Sequence, residues 1–384
     1  MLKLDIYCES APLADDQVSY GLTRVMTAIS HALSNEAVEI LVLPVDGLTL
    51  PQHIHKQARP LTKLGSNLIA KIISKLQQRT PIVAQTLFKI WAHWNRSNRG
   101  SPPFLLAVIG ANYRTLLRAQ ELAKIRKQNL IVYLVDDLVI PAKGNGSDIQ
   151  LVSESIKNTL HSVNKIYCIT KTLGERNKRL FGVTSAVLDL PFLPTPNSAP
   201  TQSKHQLIYV GAVNFLYAST LQLLIKKLSE YNTRNTIPLT LRLTVQRSIA
   251  ERSLGALPSW VIAEPIPDSG DLRREIGASI AAVLPYSFHP EHREMVETSF
   301  PSKLLDYLYS AKKIITIAPE YSSVAEYFKN QSWMKIETQS FSIEDIINST
   351  KNAPDQRDSY RAHLFERHSL DVFRQQLAGP GTVQ

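Results

Sequence analysis

Phe300-Pro-Ser-Lys-Leu-Leu-Asp-Tyr-Leu-Tyr-Ser-Ala-Lys-Lys-Ile-Ile-Thr-Ile-Ala318 decides the fold class. The stretch reads as a short helix followed by a buried strand. Pro301 suits a first helical turn, where its missing N–H costs nothing. Ile314-Ile-Thr-Ile317 is an apolar, β-branched run, the pattern of a strand covered on both faces. Just upstream, Leu284-Pro-Tyr286 closes another apolar run, Ile280–Leu284. Strand, helix and strand in succession form the unit of a parallel α/β sheet.

The same alternation extends in both directions. Toward the amino terminus it predicts strands at Leu207–Val210, Leu239–Val245 and Trp260–Ala263, with a helix at Ala218–Tyr231. Further back it predicts Lys3–Tyr7, Glu39–Leu43, Phe104–Ile109, Leu130–Val135, Lys165–Ile169 and Ala186–Leu190, with helices at Gly21–Leu33, Tyr113–Lys127 and Leu173–Phe181. Between the two sets, Pro191-Phe-Leu-Pro-Thr-Pro-Asn-Ser-Ala-Pro200 places four prolines in ten residues. Such a stretch continues neither a helix nor a central strand. The expected plan is an α/β domain over 1–190, a linker over 191–206 and a second α/β domain over 207–354. A last polar helix within 355–384 is expected to pack back toward the first domain. Two doubly wound sheets arranged this way leave a cleft outside the carboxyl ends of their strands. Periplasmic binding proteins and other two-domain sugar enzymes share that plan.

A chain of 384 residues, 44% hydrophobic and 20% charged, has the composition of a two-domain globular protein. No apolar run approaches the length of a membrane span, and the start reads as a first strand rather than a signal peptide. Cys8 and Cys168 lie in apolar strand-like segments and are expected to be reduced core residues. The charge is concentrated: Gly47 to Gln120 holds eleven basic residues and no Asp or Glu, against +10 for the whole chain. Within it, Lys71, Lys75 and Arg79 form a basic stripe beside an apolar helical one. Lys89, Trp91 and Trp94 follow in a second mixed segment. Basic amphipathic helices with tryptophans suit an anionic membrane surface. The other reading is core helices with a solvated basic face. Nucleic acid is not expected, since no RNA-binding or helix-turn-helix signature accompanies the charge.

The helix start at Pro301 offers unpaired N–H groups, and Ser302 and Lys303 stand beside them, a set suited to a diphosphate. Asp306 falls on the same helical side as Ser302 and Lys303 and is expected to accept ribose hydroxyls. Gly211, ending the strand Leu207–Val210, permits close backbone approach to a nucleotide. Arg247, after Leu239–Val245, could aim a guanidinium at the diphosphate or stand in solvent. Asp136 and Asp137 follow the strand Leu130–Val135 and should stand at its carboxyl end. Adjacent carboxylates point to different sides, so one at most serves as a base; the alternative is a cap for the turn before Pro141. His289-Pro-Glu-His-Arg-Glu294 lacks a third well-spaced His or Cys, so no metal is expected. It is expected to be a loop near a sugar, with Glu291, Glu294 and Glu297 as contacts.

Leu284-Pro-Tyr286, the Pro301-Ser-Lys303 helix start, Asp306 before Tyr307 and the Ile314–Ile317 strand together resemble bacterial GT-B glycosyltransferases. In those relatives the segment commonly reads Pro-Ser-Lys-Leu-x-Glu-Tyr before a Pro-Val-Ile strand. The resemblance extends to Val210-Gly-Ala-Val-Asn214, Ile131–Asp137 and Ile169-Thr-Lys-Thr172. It covers the family-4-like and membrane-associated exopolysaccharide enzymes, including the glucuronosyltransferase of xanthan assembly. It implies a GT-B fold, two Rossmann-like domains facing a cleft. It also implies transfer of a hexosyl or glycuronosyl group from a UDP- or GDP-sugar, without a cofactor or metal, to a lipid-linked or glycan acceptor. Tyr286 and Glu297 join the expected donor contacts, and the enzyme is expected at the inner face of the cytoplasmic membrane. A non-catalytic GT-B-like nucleotide-sugar binder is the alternative. Many retaining members carry two glutamates separated by seven residues; here Leu305 stands eight positions after Glu297, with Asp306 one place beyond. A paired glycine loop near the amino terminus is replaced by Ser19-Tyr-Gly-Leu-Thr-Arg24. Retention and inversion both stay open.

Overall fold

The computed structural model describes residues 4–8, 22–33, 37–42, 103–144, 148–194, 203–352 and 355–378. They fall into two compact units. The first runs to Leu193 and takes in the chain again from Leu370; the second is Pro194–Ser369.

The first unit contains β1 (Leu4–Cys8), α1 (Leu22–Ala32), β2 (Ala37–Val42), β3 (Phe104–Ile109), α2 (Tyr113–Arg126) and β4 (Asn129–Leu134). They are followed by α3 (Ile140–Gly144), α4 (Ile149–His161), β5 (Lys165–Cys168), α5 (Lys171–Phe181) and β6 (Ala186–Val187). The sheet order is β2-β1-β3-β4-β5-β6, and every neighbouring pair is parallel. Leu105–Ile109 and Leu130–Leu134 are buried throughout, which explains their unbroken apolar runs: helices cover both faces of a parallel sheet. Cys8 and Cys168 are buried in β1 and β5, and neither is in a disulfide among the described residues.

The second unit contains β7 (Lys204–Tyr209), α6 (Phe215–Arg234), β8 (Thr240–Leu243), α7 (Arg247–Leu254), β9 (Val261–Ala263), α8 (Ser269–Ala278) and β10 (Ser279–Pro285). Then come α9 (Arg293–Thr298), α10 (Lys303–Ser310), β11 (Ile314–Ile317), α11 (Ser323–Phe328), β12 (Ile336–Glu337), α12 (Ile343–Asn352) and α13 (Arg357–His368). Its sheet, β12-β11-β10-β7-β8-β9, is also wholly parallel. The order reverses between β7 and β10, so the connections leaving these two strands diverge and open a crevice at their carboxyl ends.

The tail differs from the single helix expected over 355–377. Ser369 is extended (φ −63°, ψ 153°) and separates α13 from α14 (Leu370–Ala378). The break lets the two helices bury in different units. Tyr360 and Leu364 of α13 are buried in the second unit. The α14 helix seats in the first unit: Tyr167 Oη donates to the carbonyls of Gln376 and Leu377, and Phe373 packs beside Tyr133.

Candidate functional site

The switch point of the second unit is built by four segments. After β7 the chain runs Val210–Asn214 into α6, and the Asn214 side chain accepts the Leu216 amide at 3.1 Å, starting the helix. Gly211 lies at φ +102°, where a Cβ is disfavoured, and its amide is held by Thr244 Oγ1 at 3.1 Å beyond β8. Tyr286 follows β10; its hydroxyl donates to the Ser299 carbonyl, just before α10. Tyr307 of α10 clamps the switch point. Its Oη accepts the Val210 amide at 2.8 Å and donates to the Val283 carbonyl at 3.2 Å, joining α10 to β7 and β10 at once.

That clamp fixes the start of α10. The Leu304 and Leu305 amides bond back to the Pro301 and Ser302 carbonyls, and the Ser302 side chain makes no capping bond. Among the described residues the amides of Ser302 and Lys303 have no partner, the open donors that a helix start offers an anion. The Lys303 side chain is 7% exposed. Its Nζ donates to Tyr209 Oη at 2.8 Å, and Tyr209 Oη donates in turn to the Ala212 carbonyl. The same Nζ lies 4.0 Å from the centre of the Tyr209 ring and 3.7 Å from that of Tyr217. Two π faces stabilise a desolvated ammonium by about 2 kcal/mol or more. No carboxylate pairs with it among the described residues, and burial pulls its pKa well below the ordinary lysine range. A buried lysine amine held by two rings and one hydroxyl, beside open helix-start amides, has the chemistry to receive an anion.

The other residues expected there separate into two groups. Gly211, Tyr286, Ser302 and Lys303 are brought together at the switch point. Asp306 is not placed for a ribose: its Oδ1 accepts Arg273 Nε of α8 at 3.3 Å, with both side chains buried, and Arg273 also faces the Tyr309 ring. Three residues along a helix turn a side chain by about 60°, and here that offset directs Asp306 at a neighbouring helix. Arg247 is likewise committed within its own unit. It binds Glu251 at 2.9 Å and the carbonyls of Val261 and Leu257, tying α7 to β9. Glu297 pairs with Arg293 one helical turn earlier, and Arg293 lies over the Tyr321 ring. In the His289–Glu294 stretch, His292 Nδ1 bonds Ser287 Oγ at 2.8 Å.

In the first unit the two aspartates after β4 have different fates. Asp137 is 6% exposed; its Oδ1 accepts the amides of Val139 and Ile140 at 2.8 and 2.9 Å, and its Oδ2 is bound by Arg176. It caps the turn into α3, so the catalytic role considered for it gives way to a structural one. Asp136 makes no hydrogen bond among the described residues. Burial, then the neighbouring Asp137 carboxylate, push its carboxyl up to about 7. An unengaged carboxylate with that affinity for protons, at the carboxyl end of a central strand, has the properties of a general base near neutrality. Lys71, Lys75, Arg79, Lys89, Trp91 and Trp94 lie outside the described residues.

Reading the sequence missed Tyr209, Tyr217, Tyr307 as clamp, Thr244, and the structural arginines Arg176 and Arg273. Tyr209 and Tyr307 resemble core aromatics on their elements. Only the pairing of β7 with β10, contacts across about 75 to 100 residues, brings them to Lys303.

No protein-family model matches the chain, and no curated protein matches it. Solved structures do. Anabaena HepE in complex with UDP-glucose is 13% identical, with a TM-score of 0.62 over 98% of either chain. Sucrose-phosphate synthase from Thermosynechococcus elongatus is 11% identical, with a TM-score of 0.62 over 98% of either chain. The UDP-forming α,α-trehalose-phosphate synthase from Burkholderia vietnamiensis is 11% identical, with a TM-score of 0.56 over 98% of this chain and 99% of the other. The chain therefore has the GT-B fold: α/β, with two Rossmann-like, doubly wound units.

Proposed function

We propose that this protein is a nucleotide-sugar-dependent glycosyltransferase of the hexosyl or glycuronosyl class. The observation that carries the proposal is Lys303: a buried ammonium without a carboxylate, beside the open Ser302 and Lys303 amides at a Rossmann switch point. A nucleoside diphosphate brings the negative charge that this amine and these amides suit. HepE was solved with UDP-glucose, which supports a UDP-sugar as donor; a GDP-sugar is the second choice.

In this reading Asp136 removes the proton of an acceptor hydroxyl. The acceptor oxygen attacks C1 of the sugar, the C1–O bond to the β-phosphate breaks, and its electron pair departs on the diphosphate. Lys303 and the α10 amides stabilise the charge that develops there, so the leaving group is neutralised by the chain itself. A carboxylate acting on the acceptor favours inversion. The unengaged, proton-retaining Asp136 also favours an enzyme over a non-catalytic nucleotide-sugar binder, which has no use for a destabilised carboxylate.

The acceptor is proposed to be a lipid-linked or polysaccharide chain at the inner face of the cytoplasmic membrane. The eleven uncompensated basic residues between Gly47 and Gln120 support this. The direct test is isothermal titration with UDP, GDP and their hexose esters against the wild type and Lys303→Ala. Nucleotide binding by the wild type and its loss in the variant are expected; equal binding by both removes the phosphate site. Co-sedimentation with anionic vesicles at low salt tests the membrane, and no binding there removes that part.

A further inference from the structure

We propose that Tyr209 is a positioning residue for the donor: its hydroxyl holds the Lys303 amine against the turn after β7, so that amine and turn meet the diphosphate together. This role rests on the reading of Lys303 as the phosphate site. Lysine carries its amine on a flexible four-carbon stem, and ordering that stem has an entropic cost that falls either on folding or on ligand binding. Here it falls on folding. Lys303 Nζ makes one hydrogen bond among the described residues, to Tyr209 Oη at 2.8 Å. Tyr209 is itself fixed. It ends β7, is fully buried, and its backbone carbonyl accepts the Thr244 amide at 3.1 Å beyond β8.

The hydroxyl is committed in direction. Tyr209 Oη lies 2.6 Å from the Ala212 carbonyl, which can only accept, so the hydroxyl proton goes there and lone pairs remain for the amine. One oxygen thus joins the side chain of α10 to the backbone of the turn Val210–Asn214. The ring contacts run the same way. Nζ lies 4.0 Å from the centre of the Tyr209 ring and 3.7 Å from that of Tyr217, and the two rings are 6.0 Å apart. In the chain these tyrosines stand before and after the turn, with Gly211 and its bond to Thr244 between them. A buried tyrosine with a partner for its hydroxyl is ordinary in a core. Tyr209 differs because its hydroxyl connects two parts of the proposed donor site, the amine and the backbone beside Gly211. A lysine ammonium has three N–H donors; Tyr209 takes one and the others remain for the oxygens of a ligand.

The test measures UDP and uridine, and GDP and guanosine, by isothermal titration with displacement for the weaker ligands. The proteins are the wild type, Tyr209→Phe, Lys303→Gln and the double variant. Phenylalanine keeps the ring in β7 and removes only the hydroxyl. Tyr209→Phe is expected to weaken the preferred nucleoside diphosphate by roughly five- to tenfold and to leave its nucleoside within about twofold. In the Lys303→Gln background the same change should weaken the diphosphate no further, since a residue that acts through the amine has no effect once the amine is gone. A tyrosine that served only the packing of β7 would weaken nucleoside and diphosphate alike, or weaken the diphosphate equally in both backgrounds; either result overturns the role. Unchanged diphosphate affinity in Tyr209→Phe does so too. Lys303→Gln keeps the two readings apart. Weakened diphosphate binding there without coupling to Tyr209 overturns the positioning role alone, while undiminished binding there removes the phosphate site and the role with it. Failure of all four compounds to bind the wild type overturns both.

Discussion

Replacing Asp136 with asparagine removes one proton-binding group from the carboxyl end of β4 while keeping its size. The Asp136 carboxyl titrates near 7 in the folded protein against a reference of 3.8. The folded state therefore holds the proton more tightly than the unfolded chain. Stability from this group is complete below the unfolded value and is lost as pH rises from there through about 7. From the unfolded value up to about pH 8 the rise from 3.8 to about 7 corresponds to roughly 4 kcal/mol, and screening at a partly exposed side chain brings that to about 1–3 kcal/mol. Asparagine does not titrate, so the Asp136→Asn protein should match the wild type at the acid end and exceed it by that amount at the alkaline end. Activity should move oppositely. Wild-type transfer should rise with pH through an apparent pKa near 7, and the variant should lose about 10²-fold or more in kcat with donor affinity retained. Paired thermal unfolding curves across pH, with initial rates on the same samples, give both readouts. A variant that keeps kcat within about threefold of wild type refutes the base. A stability difference that does not widen with pH refutes the electrostatic account of Asp136.

Lys303→Met should unfold at a higher temperature than the wild type near neutral pH, because an apolar side chain replaces a cation disfavoured by burial, and it should no longer bind nucleotide. Asp306→Ala leaves Arg273 buried without its carboxylate and should cost about 3–5 kcal/mol in urea unfolding; Asp306→Ala with Arg273→Met should recover most of it. Tyr307→Phe removes the bonds to Val210 and Val283 and should lower donor affinity about fivefold at little cost to kcat, read from steady-state KM and kcat.

The order of strands and helices was legible because it is a local property. Period-two and period-3.6 patterns, Pro301 at a helix start and prolines between domains act through neighbours in the chain, and eleven strands fall where the patterns place them. The patterns missed β12, whose two residues are too few to carry a period, the helices α7, α8 and α12, the helical turn and α9 where a loop was expected after His289, and the polar break at Ser369. The site was legible only in part. Lys303 at a helix start marked an anion site from a few residues of sequence. Where its amine goes was decided by Tyr209 and Tyr217, which parallel pairing of β7 with β10 delivers from another part of the chain.

Asp136 and Asp137 make the same point from the other side. In sequence they are equivalent carboxylates after one strand. In the fold Arg176, thirty-nine positions away, and two turn amides engage Asp137, and its charge then raises the proton affinity of Asp136. Asp306, read as a ligand to ribose, found Arg273 instead. Sequence by itself determined the alternation of elements, the two α/β units and the residue types able to hold a diphosphate, since each depends on contacts within a few positions. Which charged groups face a ligand and which are spent on each other was decided by the tertiary structure alone, because partners far apart in the chain set the burial and the charge around each one.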